Sequence, residues 1–209
     1  MFCLHVTHAI RRRCRTMATS PSVSRLAPWK QRLQEAIEAN RHIPGTHYLQ
    51  MATVAQDGAP QCRTVVFRGF EGETGMTMIT DARSAKVAQL QANPACEVAW
   101  WLPQNGEQFR IAGHVQLVTP DDDAAGLRAQ LWHKLRESMR QQFFWPQPNT
   151  PFVDAPVPVV TSATPPLTFL VLVLRPQQVK YLRLHDSFAQ VDTLNASDDP
   201  AWVSRRINP

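Results

Sequence analysis

The chain has 209 residues, 44% of them hydrophobic, and a formal net charge of +5. That length buries one sizeable core, which favours a single domain over two. No apolar run approaches the length a bilayer requires, the longest being strand-sized, at 167–174.

The excess charge is local. Arg11, Arg12, Arg13 and Arg15 lie in the first 16 residues, and the rest of the chain carries 18 basic against 17 acidic side chains, a net of +1. The body therefore has no surplus for a nucleic acid or an anionic membrane. The first acidic residue is Glu35. The opening segment thus has the composition of a mitochondrial-type targeting peptide, while its charges follow its apolar stretch, the reverse of a bacterial secretory signal. Met17 begins MATSPS, a natural-looking start. Residues 1–27 are expected to be a disordered or wrongly included leader, and residues 28–209 a single domain. Cys3, Cys14, Cys62 and Cys96 show no metal-ligand spacing, which reads as a reduced, cytoplasmic protein without disulfides or structural zinc.

In chain order, Trp29, Leu33 and Ile37 recur every fourth residue and predict an amphipathic helix over 28–40. Strands 48–55 and 61–69 flank the turn QDGAP and form a hairpin. A strand at 76–80 precedes a short helix with Ser84 as its N-cap. Strands at 96–102 and 108–118 follow. Asp121, Asp122 and Asp123 are expected to open one helix running to about Gln142, with acids at the positive end of its dipole. The segment 146–166 holds seven prolines and is expected to be an irregular, functional loop. Strands at 168–175 and 179–185 and a last region at 188–207 bring the total to about seven. Strands dominate and helices interrupt rather than alternate, so closure as a barrel is the economical way to hide the sheet edges.

The chain lacks a GxGxxG after a strand, a P-loop, a GxSxG elbow and an HExxH, so Rossmann, NTPase, serine-hydrolase and zincin chemistry lose their usual signals. No metal site is expected. What remains points to an anion. Ser84 begins a helix, and Lys86 sits in its first turn, where a cation is disfavoured unless something negative is near. An exposed helix lysine is more often simply solvated, so this feature alone leaves both readings open. The strand RTVVFRGF adds Arg63 and Arg68 one hairpin earlier. Their odd spacing puts them on opposite faces of a flat strand, so a shared role requires a bend near Gly69 or a ligand that straddles an interface.

Taken together, RTVVFRGF, the strand ending Ile79-Thr80, Ser84-Ala-Lys86 with Gln89-Leu90, Glu107-Gln108 leading into Arg110-Ile-Ala-Gly113, the run Arg183-Leu-His185-Asp186 and the closing Trp202 to Pro209 resemble the pyridoxamine 5'-phosphate oxidase family. The resemblance runs from about Tyr48 to the last residue and marks a divergent subgroup of unestablished substrate. It implies a dimeric FMN-binding split β-barrel, mainly β with flanking helices, with FMN at the subunit interface of a homodimer.

By the same resemblance, Arg63, Thr80, Ser84 and Lys86 grip the flavin phosphate, Arg68 stands near flavin and substrate, and Gln108 hydrogen-bonds the flavin ring. Lys134 and Ser138, read as one turn apart on the long helix, resemble a clamp on the substrate phosphate. Arg183 and His185, read as sharing one strand face, resemble the groups that orient the substrate. Four positions depart from the family pattern: Ala85, Gln130, Gln177 and Ser187 stand where Arg, Tyr, Trp and Arg are common. The implied activity is oxidation of pyridoxine or pyridoxamine 5'-phosphate or a related small substrate. The alternatives are a flavin reductase or other FMN protein with a different donor, and a non-catalytic flavin-binding dimer.

Overall fold

The structure, a computed structural model, describes residues 22–24, 26–156, 158–160, 162–195, 197 and 200–209. The expected leader of residues 1–27 lies mostly outside them. The elements in chain order are β1 (Ser22–Ser24), α1 (Pro28–Ala39), β2 (Tyr48–Val54), β3 (Pro60–Val66), β4 (Gly69–Glu71), β5 (Gly75–Asp81), α2 (Ala85–Ala92), β6 (Ala95–Leu102), β7 (Glu107–Val118), α3 (Leu127–His133), α4 (Glu137–Gln141), β8 (Phe169–Arg183), β9 (Phe188–Asn195) and β10 (Ala201–Ile207).

The described strands form one antiparallel sheet in the order β1-β10-β9-β8-β7-β6-β2-β3, and β5 joins it through β8. Ten strands are present among the described residues where about seven were expected, mostly because short pairings such as β4 with β5 carry little sequence signal. The larger correction concerns residues 168–185. They form a single strand of 15 residues, β8, rather than two. Pro176 reads as a break because it has no N–H to donate. Here β7 pairs with β8 on both sides of Pro176, from Val171 to Arg183, and a bulge between Ala112 and Gly113 absorbs the irregularity. Gly113 is required there, because a Cβ would collide with the carbonyl oxygen of Arg175. Beyond the bulge β8 changes its second neighbour, from β5 along residues 169–174 to β9 along residues 178–183.

The core lies on both faces of that strand. Leu172 and Leu174 point into a cluster with Trp29 and Leu33 of α1, Met76, Met78, Trp100 and Trp202. Phe169, Val171 and Val173 point the other way, onto Leu131, Trp132, Leu135 and Phe143. Burial on both faces explains why FLVLVL is a continuous apolar run rather than an alternating one.

The expected helix over 121–142 is also corrected. The Asp123 carboxylate accepts from the backbone N–H of Leu127 at 2.6 Å and of Arg128 at 3.0 Å. The acidic run therefore caps a helix that starts four residues later, after Gly126 at φ 65°. The helix stops at Lys134, and Arg136 takes an extended conformation before α4. Lys134 and Ser138 thus lie on different elements. No helix among the described residues is long and apolar enough to cross a membrane.

Candidate functional site

Arg63 sits in β3 opposite Met51 of β2. Its guanidinium donates to Thr53 Oγ1 at 2.6 Å, Gln89 Oε1 at 3.1 Å and the Met51 carbonyl at 3.3 Å. All three acceptors are neutral, so the charge is held in place without being cancelled. After Val66 the chain leaves β2: Phe67 N–H still bonds His47 O at 2.8 Å, while Arg68 N–H bonds Thr77 O of β5 at 2.8 Å. Gly69 at φ 141° completes the bend. This is the turn that the odd spacing of Arg63 and Arg68 demands, and it brings Arg68 to the side of β5 and α2.

There the side chains of Thr80, Ser84 and Lys86 meet. Lys86 Nζ donates to Thr80 Oγ1 at 3.2 Å and Ser84 Oγ at 3.1 Å, and Ser84 Oγ donates to Asp81 O at 2.8 Å. Ser84 occupies the N-cap position of α2, but its hydroxyl bonds no helix N–H. Burial, and after it the nearby charge of Arg63, push the Lys86 pKa below its ordinary value. Arg68 is lowered as well, chiefly by burial. Its Nε is buried with no hydrogen-bond partner.

Arg68, Thr80, Ser84 and Lys86 line a cleft of about 530 Å³, closed on its far side by Met139, Gln142, Phe143 and Trp145. Arg68 also lines a pocket of about 210 Å³ with His47 and Lys134. Ser138 is exposed and lines neither.

The remaining residues lie elsewhere in the chain's fold. Gln108 of β7 sits between Trp101 of β6 and Leu182 of β8. Arg183 is the last residue of β8, and His185 lies in the following turn, so the two do not share a strand face. Arg183 instead grips Asp186, Nε to Oδ1 at 3.1 Å and Nη2 to Oδ2 at 2.8 Å. That pair pulls the Asp186 carboxyl down to about 2 and raises Arg183. His185 is exposed beside Gly106 and Leu184. None of the three lines the cleft.

Sequence reasoning missed Arg83 and Trp145. Arg83 Nη2 pairs with Asp81 Oδ2 at 2.6 Å, while Nη1 donates to the Trp145 carbonyl at 2.9 Å. An acid and a base two apart in a turn, just before the N-cap of α2, was the available signal.

The cleft fits a terminal phosphate. It brings half-buried cations together with hydroxyl groups, one guanidinium nitrogen has no partner, and the ammonium of Lys86 is bonded only to neutral hydroxyl oxygens. Residues 26–119 match the family described as pyridoxamine 5'-phosphate oxidase, FMN-binding domain. The pyridoxine/pyridoxamine 5'-phosphate oxidase 2 of Arabidopsis thaliana is 34% identical over 196 residues, 88% of this chain and 98% of that one. A crystal structure of a pyridoxamine 5'-phosphate oxidase-related, FMN-binding protein from Nostoc punctiforme is 38% identical, with a TM-score of 0.82 over 88% of this chain and 99% of that one. The pyridoxine/pyridoxamine 5'-phosphate oxidase of Pseudomonas putida is 34% identical over only 96 residues, 46% of this chain and 44% of its own length. With FMN as its cofactor, this chain belongs to the pyridoxamine 5'-phosphate oxidase family of FMN-binding proteins.

Proposed function

We propose that the protein is a cytoplasmic FMN-dependent oxidoreductase that works as a homodimer, its sheet closed as a split barrel and its cofactor held between subunits. The observation that carries the redox site is a set of cations without a carboxylate partner: Arg68 and Lys86 in the cleft with Thr80 and Ser84, and Arg63 outside its lining, held by Thr53 and Gln89 but near enough to lower the Lys86 pKa. The single hydrogen bond from Arg68 N–H to Thr77 O supports closure. Exposed apolar residues in two places support the dimer: Tyr48 at the cleft, and Trp101 and Leu184 at the end that carries Gln108. A two-fold axis that sets each patch on the other would complete both.

In this reading Arg63, Thr80, Ser84 and Lys86 hold the flavin phosphate. Gln108 of the partner subunit bonds the ring edge. FMN supplies the two-electron chemistry when bound. Arg68 and Lys134 hold the acidic group of a small substrate, with Ser138 at the mouth, and Arg183 and His185 of the partner subunit orient its reacting carbon. Pyridoxine or pyridoxamine 5'-phosphate is the first substrate to test, since the Arabidopsis relative carries both in its name.

A second reading, a flavin reductase with another donor, draws on specific geometry: Arg183 is already committed to Asp186, and Ser138 lies outside both pockets. One experiment separates the two. The purified protein is expected to release FMN, identified by mass, and its absorbance is expected to bleach without oxygen on adding either vitamin phosphate. Bleaching by NADPH alone would favour the reductase. FAD, or no flavin after reconstitution, would end both readings.

A further inference from the structure

Beyond the Trp145 wall of the cleft, the segment after Phe144 has a cavity of its own. Residues 145–156, with Pro158, curl around a cavity of about 410 Å³ walled by Trp145, Pro146, Pro151, Phe152, Val153 and Pro156. That volume is of small-molecule size. Among the described residues no charged side chain lines it, and its polar members are Gln147 and Thr150. The Thr150 hydroxyl is already spent on the Gln147 carbonyl at 2.8 Å. A charged guest would lose its hydration there without compensation, whereas an apolar one would not. The prolines fix φ along the wall, so little chain entropy remains to be lost on binding.

Trp145 lines both this cavity and the cleft of Arg68 and Lys86. Its place is held from below. Arg83 donates to the carbonyls of Trp145 at 2.9 Å and Phe143 at 3.4 Å, and the same guanidinium is gripped by Asp81. Thr168 Oγ1 donates to the Phe143 carbonyl at 3.1 Å, and the Phe143 ring packs 4.8 Å from that of Phe169 in the core. Yet Trp145 is 50% and Phe152 91% exposed. The fold anchors the wall at its Trp145 end and leaves its apolar surface toward solvent.

We propose that residues 145–156, with Pro158, form a subsite for an uncharged ring of a small molecule whose remainder lies in the adjoining cationic cleft. This rests on the reading of that cleft as the flavin site, and it narrows the substrate class to molecules with an apolar ring body. A concave cavity of this size suits such a ring better than a second copy of the chain, whose docking would need about 800 Å² on each partner.

The test is a fluorescence titration of the FMN-loaded protein with the neutral probe N-phenyl-1-naphthylamine. Saturable binding of one probe per chain is expected, about tenfold weaker in Phe152→Ser/Val153→Ser, where a phenyl and an isopropyl contact are removed. Both side chains are exposed, so flavin content and melting temperature should stay at the wild-type values. Arg83→Ala, which releases Trp145, should also weaken the probe. No saturable binding, or equal affinity in the double variant, would overturn the proposal. So would a dimer that falls apart in the double variant, which would make this face an interface between copies. If the wild type holds no FMN but binds the probe and the double variant does not, the subsite stands and the flavin reading of the cleft fails.

Discussion

Arg63 of β3 and Gln89 of α2, distant in the chain, are joined by a 3.1 Å hydrogen bond from guanidinium to amide oxygen. The same oxygen accepts from Thr53 Oγ1 at 2.7 Å. A cation tethered only by neutral groups keeps its full attraction for an anion, so its removal should be felt in cofactor binding before it is felt in folding. Arg63→Ala is expected to weaken FMN binding by roughly 1.5–3 kcal/mol, the worth of one charge-assisted hydrogen bond, which is about ten- to a hundredfold in dissociation constant. Equilibrium dialysis measures it, and an unchanged affinity would leave Arg63 as a tether between strand and helix.

The lowered pKa of Lys86 gives the site a pH dependence of definite sign. Burial disfavours the ammonium and Arg63 repels it, while a bound phosphate favours it. Binding therefore draws a proton onto Lys86 wherever the free site has lost it. FMN affinity should fall as pH rises through the lowered Lys86 pKa. Stability of the cofactor-free protein should move oppositely, rising with pH between that value and the ordinary lysine value, because there the unfolded chain holds the proton and the folded chain does not. Lys86→Met should flatten both profiles. Flavin titrations and melting curves across alkaline pH, with and without FMN, check the pair of slopes.

Arg183 and Asp186 form a closed pair within one turn. If Arg183 orients a substrate, Asp186 competes for it. Asp186→Asn is then expected to lower KM for an acidic substrate severalfold with flavin content unchanged. Arg183→Ala/His185→Ala should leave flavin in place and abolish its reduction by the vitamin phosphates, since groups that orient the reacting carbon act on the chemical step. Stopped-flow reduction rates separate these effects, and a double variant reduced at the wild-type rate would remove both residues from the reaction.

Gly113→Ala tests the bulge in the sheet. The new Cβ would overlap the Arg175 carbonyl, which belongs to a paired strand and cannot swing aside. A loss of about 1–3 kcal/mol is expected, read as a fall in melting temperature. A neutral outcome would mean that β7 and β8 slide past one another more freely than their long pairing implies.

Much of this was legible in the chain because it is local. The fourfold spacing of Trp29 and Leu33 marks α1, the Asp57-Gly58 turn marks the β2–β3 hairpin, and the prolines after Trp145 exclude regular structure. The motif order from Arg63 to Pro209 carried the family. Long-range pairing decided the rest. Pro176 ends a strand in a propensity reading, yet β8 runs through it because β7 supplies partners on both sides of it. Acids at 121–123 promise a helix start, yet the Asp123 side chain reaches forward to cap Leu127 and Arg128, and the helix begins and breaks later. Spacing gives no hint that Arg83 pins Trp145, 62 residues away, or that Gln108 and Arg183 end up apart from the cleft. Period and turn chemistry act within a few residues, whereas the grouping of side chains depends on how a sheet curls and which strands it sets side by side.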